Sequence, residues 1–268
     1  MSSDEKPTIS IYACILPRLE AFYLEEWVVH HLGLGVTHFH LCLYDTDQRL
    51  HQGTPVSVAG SEELFTTWSK KPEADYFLDF TDEEIACKIA EVVEKYPITI
   101  TKLSELPSFV TVGTDKVRLS RQYRYHVERN KSDWWLRIDP DEYILLRKHD
   151  SLSDLMRDSY FEDGTTCFRF KEKIFQERQR GRLVRSIFDW AYINSGVKSL
   201  IISDIKTYHE HRAQPSHGLC RNVPRSAGVI FHYRGHPNKH MVFSEKSKPA
   251  NWKTCTFHKF DDSMKKYL

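Results

Sequence analysis

The stretch Asp133-Trp134-Trp135-Leu136-Arg137-Ile138-Asp139-Pro140-Asp141-Glu142-Tyr143 constrains this chain more than any other. Its apolar run is too short for a helix and rich in large aromatic and branched residues, so it reads as a buried strand. Pro140 cannot continue a central strand, and it pushes Asp139 away from helical angles. Three carboxylates therefore gather where a strand stops, at the carboxyl edge of a sheet. In open α/β folds that is the ligand-binding edge. Asp139 and Asp141, one residue apart on a tight turn, can face a common hard cation. Mn2+ or Mg2+ held by a few carboxylates completes its shell with water and substrate phosphate. A solvated turn capping the strand is the plainer alternative, and a second Asp-x-Asp, Asp45-Thr46-Asp47, has only its spacing to recommend it. The surroundings decide.

Those surroundings alternate between strand and helix. Thr8 to Leu16 is a strand stopped by Pro17. Glu20 to Leu34 follows as a helix with Leu24, Trp27, Val28, His31 and Leu32 on one face and Gly35 as its stop. His31 on that face is expected to be a packed, hydrogen-bonded histidine, not a ligand. Val36 to Tyr44 is a second strand ending at Asp45, which makes a β-α-β unit with parallel strands and a right-handed crossover. Thr81 and Glu84 form a capping box opening a helix that buries Ile85, Ile89, Val92 and Val93. Pro97 to Thr101 is a third strand. A helix from Asp115 to about Asn130 turns Leu119, Tyr123 and Val127 inward and carries Lys116, Arg118, Arg121, Arg124 and Arg129. The carboxylate strand comes next. Four such alternations predict an α/β fold with a Rossmann-like, mostly parallel central sheet flanked by helices. Neither Gly-x-Gly-x-x-Gly nor a Walker loop is present, which disfavours a dinucleotide fold or a P-loop ATPase.

The rest is less regular. Thr46 to Asp79 reads as a polar insertion with a short helix near Glu62 to Trp68. Beyond the carboxylates come a short helix at Leu152 to Ser159 and strands around Cys167 to Phe170, Val197 to Ile202 and Gly228 to Tyr233. Arg178, Arg180, Arg182 and Arg185 surround Gly181 in a loop that is either a lid or a solvated basic segment. The Lys-rich tail, Asn238 to Leu268, is expected to be partly helical. No linker divides the chain, so residues 1–268 are expected to form a single domain.

A net charge of +1 creates no field toward nucleic acid or an anionic membrane, so any anion site must be local. No segment approaches the roughly 20 apolar residues of a membrane span, and the polar, acidic start is unlike a signal peptide. The six cysteines are scattered without a C-x-x-C pair, which suits reduced thiols and a cytoplasmic protein. His209-Glu210-His211 would put two imidazoles on one strand face, but no companion cysteine or helical His-Glu-x-x-His supports zinc. His232, His236 and His240 have helical spacing that Gly235 and Pro237 interrupt. His232 ends a late apolar strand, where it is either a third metal or phosphate contact or a surface imidazole. Asp45, at the end of the second strand, either accepts from a ribose or base or merely closes a turn.

Several of these pieces, in this order, resemble a known glycosyltransferase group. They are Arg18-Leu19-Glu20, Tyr23-Leu24-Glu25-Glu26-Trp27, His30-His31, Gly33-Leu34-Gly35-Val36, Phe39, Tyr44-Asp45, Trp135 with Ile138 to Tyr143, and His232-Tyr233. The group is the family-2-like and family-92-type enzymes with a GT-A fold, and the resemblance runs from about residue 9 to 245. It implies a nucleotide-sugar-binding half over about residues 8–145 and an acceptor-side half over about 146–268. It implies Asp139 and Asp141 as the D-x-D pair holding Mn2+ (or Mg2+) against a nucleotide-diphosphate sugar, a UDP-sugar by preference, with His232 as the late metal or phosphate histidine. Arg18, Glu20, Asp45 and Asp139 match positions lining the nucleotide, and Arg121 and Gln122 lie where the donor is faced. Leu19 departs from the usual Asn, and Thr46 to Asp79 exceeds the pattern. Animal members carry a membrane anchor, so a lumenal domain separated from its anchor is the alternative localisation.

The implied reaction is metal-dependent transfer of a sugar to a hydroxyl of a glycan or glycoconjugate, with inversion. Such transfer needs a neutralised diphosphate and a general base for the acceptor. Glu172, Asp189 and Asp204 are the base candidates. Asp189 is preferred because Trp190 beside it offers a platform for a sugar ring, although an Asp there can equally cap a helix. A nucleotidyltransferase acting on sugar phosphates also needs carboxylates and a metal, but Ile15-Leu16-Pro17-Arg18-Leu19 lacks the glycines of a phosphate loop. A non-catalytic nucleotide-sugar-binding module is the third reading. A nucleic-acid partner is not expected: 38 basic residues are matched by 37 acidic ones, with no RNP-type aromatic pattern.

Overall fold

The computed structural model describes residues 6–15, 17–44, 81–111, 115–161, 163–175, 191–209 and 211–233. Asp45, the Thr46–Asp79 insertion, the arginine loop, Asp189, Cys255 and the Lys-rich tail lie outside the described residues.

The first strand, β1 (Ile9–Ile15), is buried along its whole length, as a strand covered on both faces must be. Its alternate residues serve two cores. Ile9, Ile11, Ala13 and Ile15 pack on one face, Tyr12 and Cys14 on the other. Helix α1 (Pro17–Gly33) starts three residues before the expected Glu20, because proline is well suited to the first turn of a helix. Leu24, Trp27, Val28 and His31 are buried at helical spacing. The chain then turns through Gly35, whose φ of 92° would strain any side-chain-bearing residue. It enters β2 (His38–Leu43), parallel to β1.

Helix α2 (Asp82–Lys95) opens on the expected capping box. The Thr81 amide donates to Glu84 Oε2 at 2.7 Å, and the Glu84 amide donates to Thr81 Oγ1 at 3.2 Å. Strand β3 (Ile98–Lys102), a 3-10 turn at Leu103–Glu105 and a four-residue helix α3 (Ser108–Thr111) follow. Helix α4 (Asp115–Arg129) leads into β4 (Trp134–Arg137). Next come β5 (Glu142–Leu146), a short α5 (Leu152–Met156), β6 (Thr165–Phe175) and β7 (Ala191–Ile202). The last strands are β8 (Ile205–Thr207), β9 (Gln214–Pro215), β10 (Leu219–Asn222) and β11 (Gly228–Tyr233).

Among the described residues nine strands form one sheet in the order β3-β2-β1-β4-β7-β6-β11-β5, with β10 beside β6. The first four are mutually parallel. Strand β7 runs antiparallel to both β4 and β6, and β5 antiparallel to β11. This is the mostly parallel α/β sheet expected, with more strand in the second half than its sequence suggested. The carboxyl ends of β1, β2 and β4 share one edge, and the Asp139-Pro140-Asp141 turn stands on it. Among the described residues no helix is long and apolar enough to cross a membrane.

Among the described strands β5 ends the sheet, and its outer edge is covered by α1. The Trp27 indole donates to the Glu142 carbonyl at 2.9 Å, and His30 Nε2 donates to the Ile144 carbonyl at 2.8 Å. Two side chains thereby do for β5 what a neighbouring strand would do. His31, one residue on, donates through Nδ1 to the Trp27 carbonyl at 2.8 Å and is fully buried, the packed histidine expected.

Candidate active site

Between β4 and β5 the chain reverses through Asp139-Pro140-Asp141, and the turn is tied at both ends. The Glu142 amide donates to the Asp139 carbonyl at 2.9 Å, and the Asp139 amide donates to Glu142 Oε2 at 2.8 Å. Glu142 is fully buried and opens β5. Asp139 keeps 34% of its side chain exposed and meets two cations: Arg137 Nη2 at 3.2 Å from Oδ1, and Lys198 Nζ at 3.1 Å from Oδ2. Lys198 also lies 3.0 Å from Glu142 Oε2 and has no exposed surface. Burial works to raise the Asp139 carboxyl, but Arg137 and Lys198 outweigh it and hold the group below the ordinary carboxylate range. For Glu142 burial prevails over Lys198, and the group titrates higher than usual.

Register explains why these groups meet. Leu136 pairs Leu200 at the end of the β4–β7 ladder, and Lys198 continues the Leu200 face one step past it, where the turn begins. His232 on β11 stands directly opposite Glu142 in the antiparallel pair with β5. Glu172 on β6 sits where the β6–β7 register slips, between the Lys171–Val197 and Lys173–Ile193 pairs. Such irregularities re-aim side chains near functional sites.

His232 consequently faces three carboxylates. Its Nε2 is 3.6 Å from Asp141 Oδ1, and its Nδ1 is 3.2 Å from Glu142 Oε1 and 3.6 Å from Glu172 Oε2. Burial opposes protonation of the ring, but Asp141 and Glu142 outweigh burial and push it up to about 9. Burial would likewise raise Glu172, yet His232 brings it down to about 2. Glu142, Glu172 and His232 each offer one ligand atom, all within 4.8 Å of one another. Ligand atoms standing about 2.0–2.6 Å from a divalent ion span at most roughly 5 Å, so this set fits such an ion. The two carboxylates suit a hard ion such as Mn2+ or Mg2+.

Of the residues singled out by sequence, Asp139, Asp141 and His232 converge here. Gln122 is fully buried elsewhere, under the ends of β1 and β2. Its Oε1 accepts from the Tyr12 hydroxyl at 3.3 Å, the Tyr44 hydroxyl at 3.4 Å and Cys14 Sγ at 3.7 Å. A hydrogen bond from Cys42 lowers the Cys14 thiol to about 7 against the opposing effect of burial. Arg121 is exposed and donates to the Phe109 carbonyl at 3.1 Å. Glu20 is buried on the first turn of α1, and Arg18 belongs to the same turn, with only its backbone described.

Asp204 is exposed and accepts from Ser216 Oγ at 2.6 Å, away from this cluster; Glu172 is in it. His209 Nδ1 accepts from the amides of His211 and Arg212, so it closes a turn. Among the described residues the Glu142, Glu172 and His232 group is the one arranged for a metal. The cysteines described, Cys14, Cys42, Cys87, Cys167 and Cys220, are free thiols.

Sequence reasoning did not single out Arg137 and Lys198. A signal for both existed: each is a lone cation in an apolar strand, and such residues are almost never fully buried unless paired.

No known family profile matches the sequence, and no curated protein does. Among solved structures, the chain is similar to glucosyl-3-phosphoglycerate synthase from Mycobacterium tuberculosis, crystallised with Mn2+, UDP-glucose and phosphoglyceric acid. The identity is 13% and the TM-score 0.31, over 66% of this chain and 46% of that one, so the match spans less than half of the synthase. It is also similar to an apo UDP-glucose pyrophosphorylase, at 8% identity and a TM-score of 0.34 over 90% of this chain and 99% of that one. The UTP-bound pyrophosphorylase of Acinetobacter baumannii matches at 10% identity and a TM-score of 0.34, over 85% of this chain and 86% of the other.

Proposed function

We propose that this protein is a metal-dependent glycosyltransferase of GT-A type. It would move a sugar from a nucleotide diphosphate, UDP by preference, to a hydroxyl of a glycan or glycoconjugate with inversion. The observation that carries the reading is the convergence of Asp141, Glu142, Glu172 and His232 beside Asp139, at the carboxyl edge of a mostly parallel sheet. A divalent cation held there would neutralise charge developing on the departing diphosphate. Asp141 and His232 would bind it together with Glu142 and Glu172, and Asp139, fixed by Arg137 and Lys198, would face the nucleotide. Arg121, Glu20, Arg18 and Asp45 would supply the remaining donor contacts, with Gln122 behind them under β1 and β2. Asp189 is the base that takes the proton from the acceptor hydroxyl.

The test is incubation with a panel of UDP-sugars, Mn2+ and glycan acceptors, with sugar transfer followed by mass spectrometry. D141N and H232N should each lower turnover by about a hundredfold or more. Near-normal turnover by D189N would remove Asp189 as base. Formation of pyrophosphate and a UDP-sugar from UTP and a sugar phosphate would make the protein a nucleotidyltransferase instead. Donor binding without turnover on any acceptor would make it a binding module.

A further inference from the structure

The carboxylate corner contains a charged side chain whose effect on the metal shell the proposed chemistry leaves open. Lys198 is completely buried, with its ammonium 3.1 Å from Asp139 Oδ2 and 3.0 Å from Glu142 Oε2. Arg137 lies 3.2 Å from the other Asp139 oxygen. Both oxygens of Asp139 are therefore engaged by cations that belong to the protein. The Glu142 oxygens, by contrast, are divided between two environments. Oε2 takes Lys198 and the Asp139 amide, so Lys198, Glu142 and the turn backbone form one knot. Oε1 looks the other way, toward His232 Nδ1 at 3.2 Å, and neither atom has a hydrogen-bond partner although both side chains are more than nine-tenths buried. Glu172 Oε2 approaches the same nitrogen at 3.6 Å. A divalent ion brought against Asp139 would meet two positive charges at once. Brought against Glu142 Oε1, Glu172 and His232, it would meet ligand atoms already spaced for it.

We propose that Lys198 is a positioning residue that keeps Asp139 out of the metal shell and leaves the divalent cation to Glu142, Glu172 and His232, with Asp141 beside them. This rests on the metal-dependent reading of the site, and it departs from the simple D-x-D expectation by making Asp139 a neighbour of the ion instead of a ligand. Lys198 acts through Glu142 and Asp139. It fixes the turn from beneath and decides which carboxylate oxygens remain for the metal, as supporting residues around metal sites commonly do.

The test uses Mn2+ alone, titrated into the full-length protein, with free Mn2+ read by electron paramagnetic resonance. D139N should bind Mn2+ with nearly wild-type affinity, whereas E172Q should weaken binding by about tenfold or more. In the K198M background Asp139 is released to compete for the ion. Adding D139N there should weaken binding by about tenfold, an effect absent from the D139N single variant. K198R, which preserves the charge, should keep the wild-type pattern. A wild-type protein that binds no Mn2+, or a D139N variant weakened as much as E172Q, overturns the assignment. Should K198M fail to fold, the D139N and E172Q comparison decides alone. A protein with this Mn2+ pattern that neither binds nor turns over any nucleotide sugar would overturn the transferase reading and leave the role of Lys198 standing.

Discussion

Trp27 and Glu142 are 115 residues apart in sequence, yet the Trp27 indole donates to the Glu142 carbonyl at 2.9 Å. The same residue whose side chain faces Lys198 and His232 is thus held by its backbone from a helix on the far side of the chain. W27F keeps an aromatic ring but leaves that buried carbonyl without its partner, which costs about 1–3 kcal/mol. Urea denaturation should show a lowered midpoint. Because the anchor acts on the first residue of β5, Mn2+ affinity should fall together with stability.

Lys198 and Glu142 make a buried ion pair, and breaking such a pair from one side is costly because the remaining charge is stranded. K198M should lose about 3–5 kcal/mol in metal-free buffer, measured by chemical denaturation. The K198M/E142Q double variant should recover part of that loss, since one of the two stranded carboxylates is then neutral. A double variant that loses as much as the sum of the single ones would mean the two side chains act independently.

Acid should weaken the fold through His40 and His126. Both are buried, and His40 Nδ1 and His126 Nε2 have no hydrogen-bond partner. Burial, reinforced by neighbouring His38 and His126, lowers His40 to about 3, and burial with Arg129 lowers His126 to about 4. In the unfolded chain both titrate near the ordinary value of about 6.5, so between there and pH 4 the unfolded state binds more protons than the folded one. Their contribution is complete above about pH 6.5 and declines as the pH falls, by at most about 1.4 kcal/mol per histidine per pH unit. His232 has the opposite sign. Raised to about 9, it stabilises fully below about 6.5 and loses its contribution as the pH rises through 9. Metal-free protein should be most stable near neutral pH, with H126F flattening the acid limb of a series of denaturation midpoints.

How far the sequence reached follows from the range of each interaction. Period-two and period-3.6 patterns are local, so β1, α1, β2, the Thr81–Glu84 cap and the buried face of α4 were legible. The turn was legible too, because Pro140 marks where a strand must stop. The partners of the turn were not. Glu172 and Lys198 are 30 and more residues away on strands whose register slips beside them, and no local pattern encodes that slip. The covering of β5 by Trp27 and His30 is hidden for the same reason: both residues read as an ordinary apolar helix face, and their polar atoms find backbone groups more than 110 residues away.

Ligand linkage gives the most direct check on the site as a whole. Anything that binds only the folded state stabilises it by about 2.7 kcal/mol at a hundred times its dissociation constant. Mn2+ alone should raise the melting temperature, because Glu142, Glu172 and His232 already stand within 4.8 Å of one another and bind the ion only in the folded chain. A matching nucleotide sugar should add a further shift only when Mn2+ is present, since the diphosphate is read through the ion. In H232N the shift from Mn2+ should shrink and the extra shift from the nucleotide sugar should vanish, while the K88A variant, altered in a surface pair with Glu25 and Glu91, should respond like wild type. A nucleotide-sugar shift of equal size with and without Mn2+ would separate donor binding from the metal and confine the carboxylate corner to a structural role.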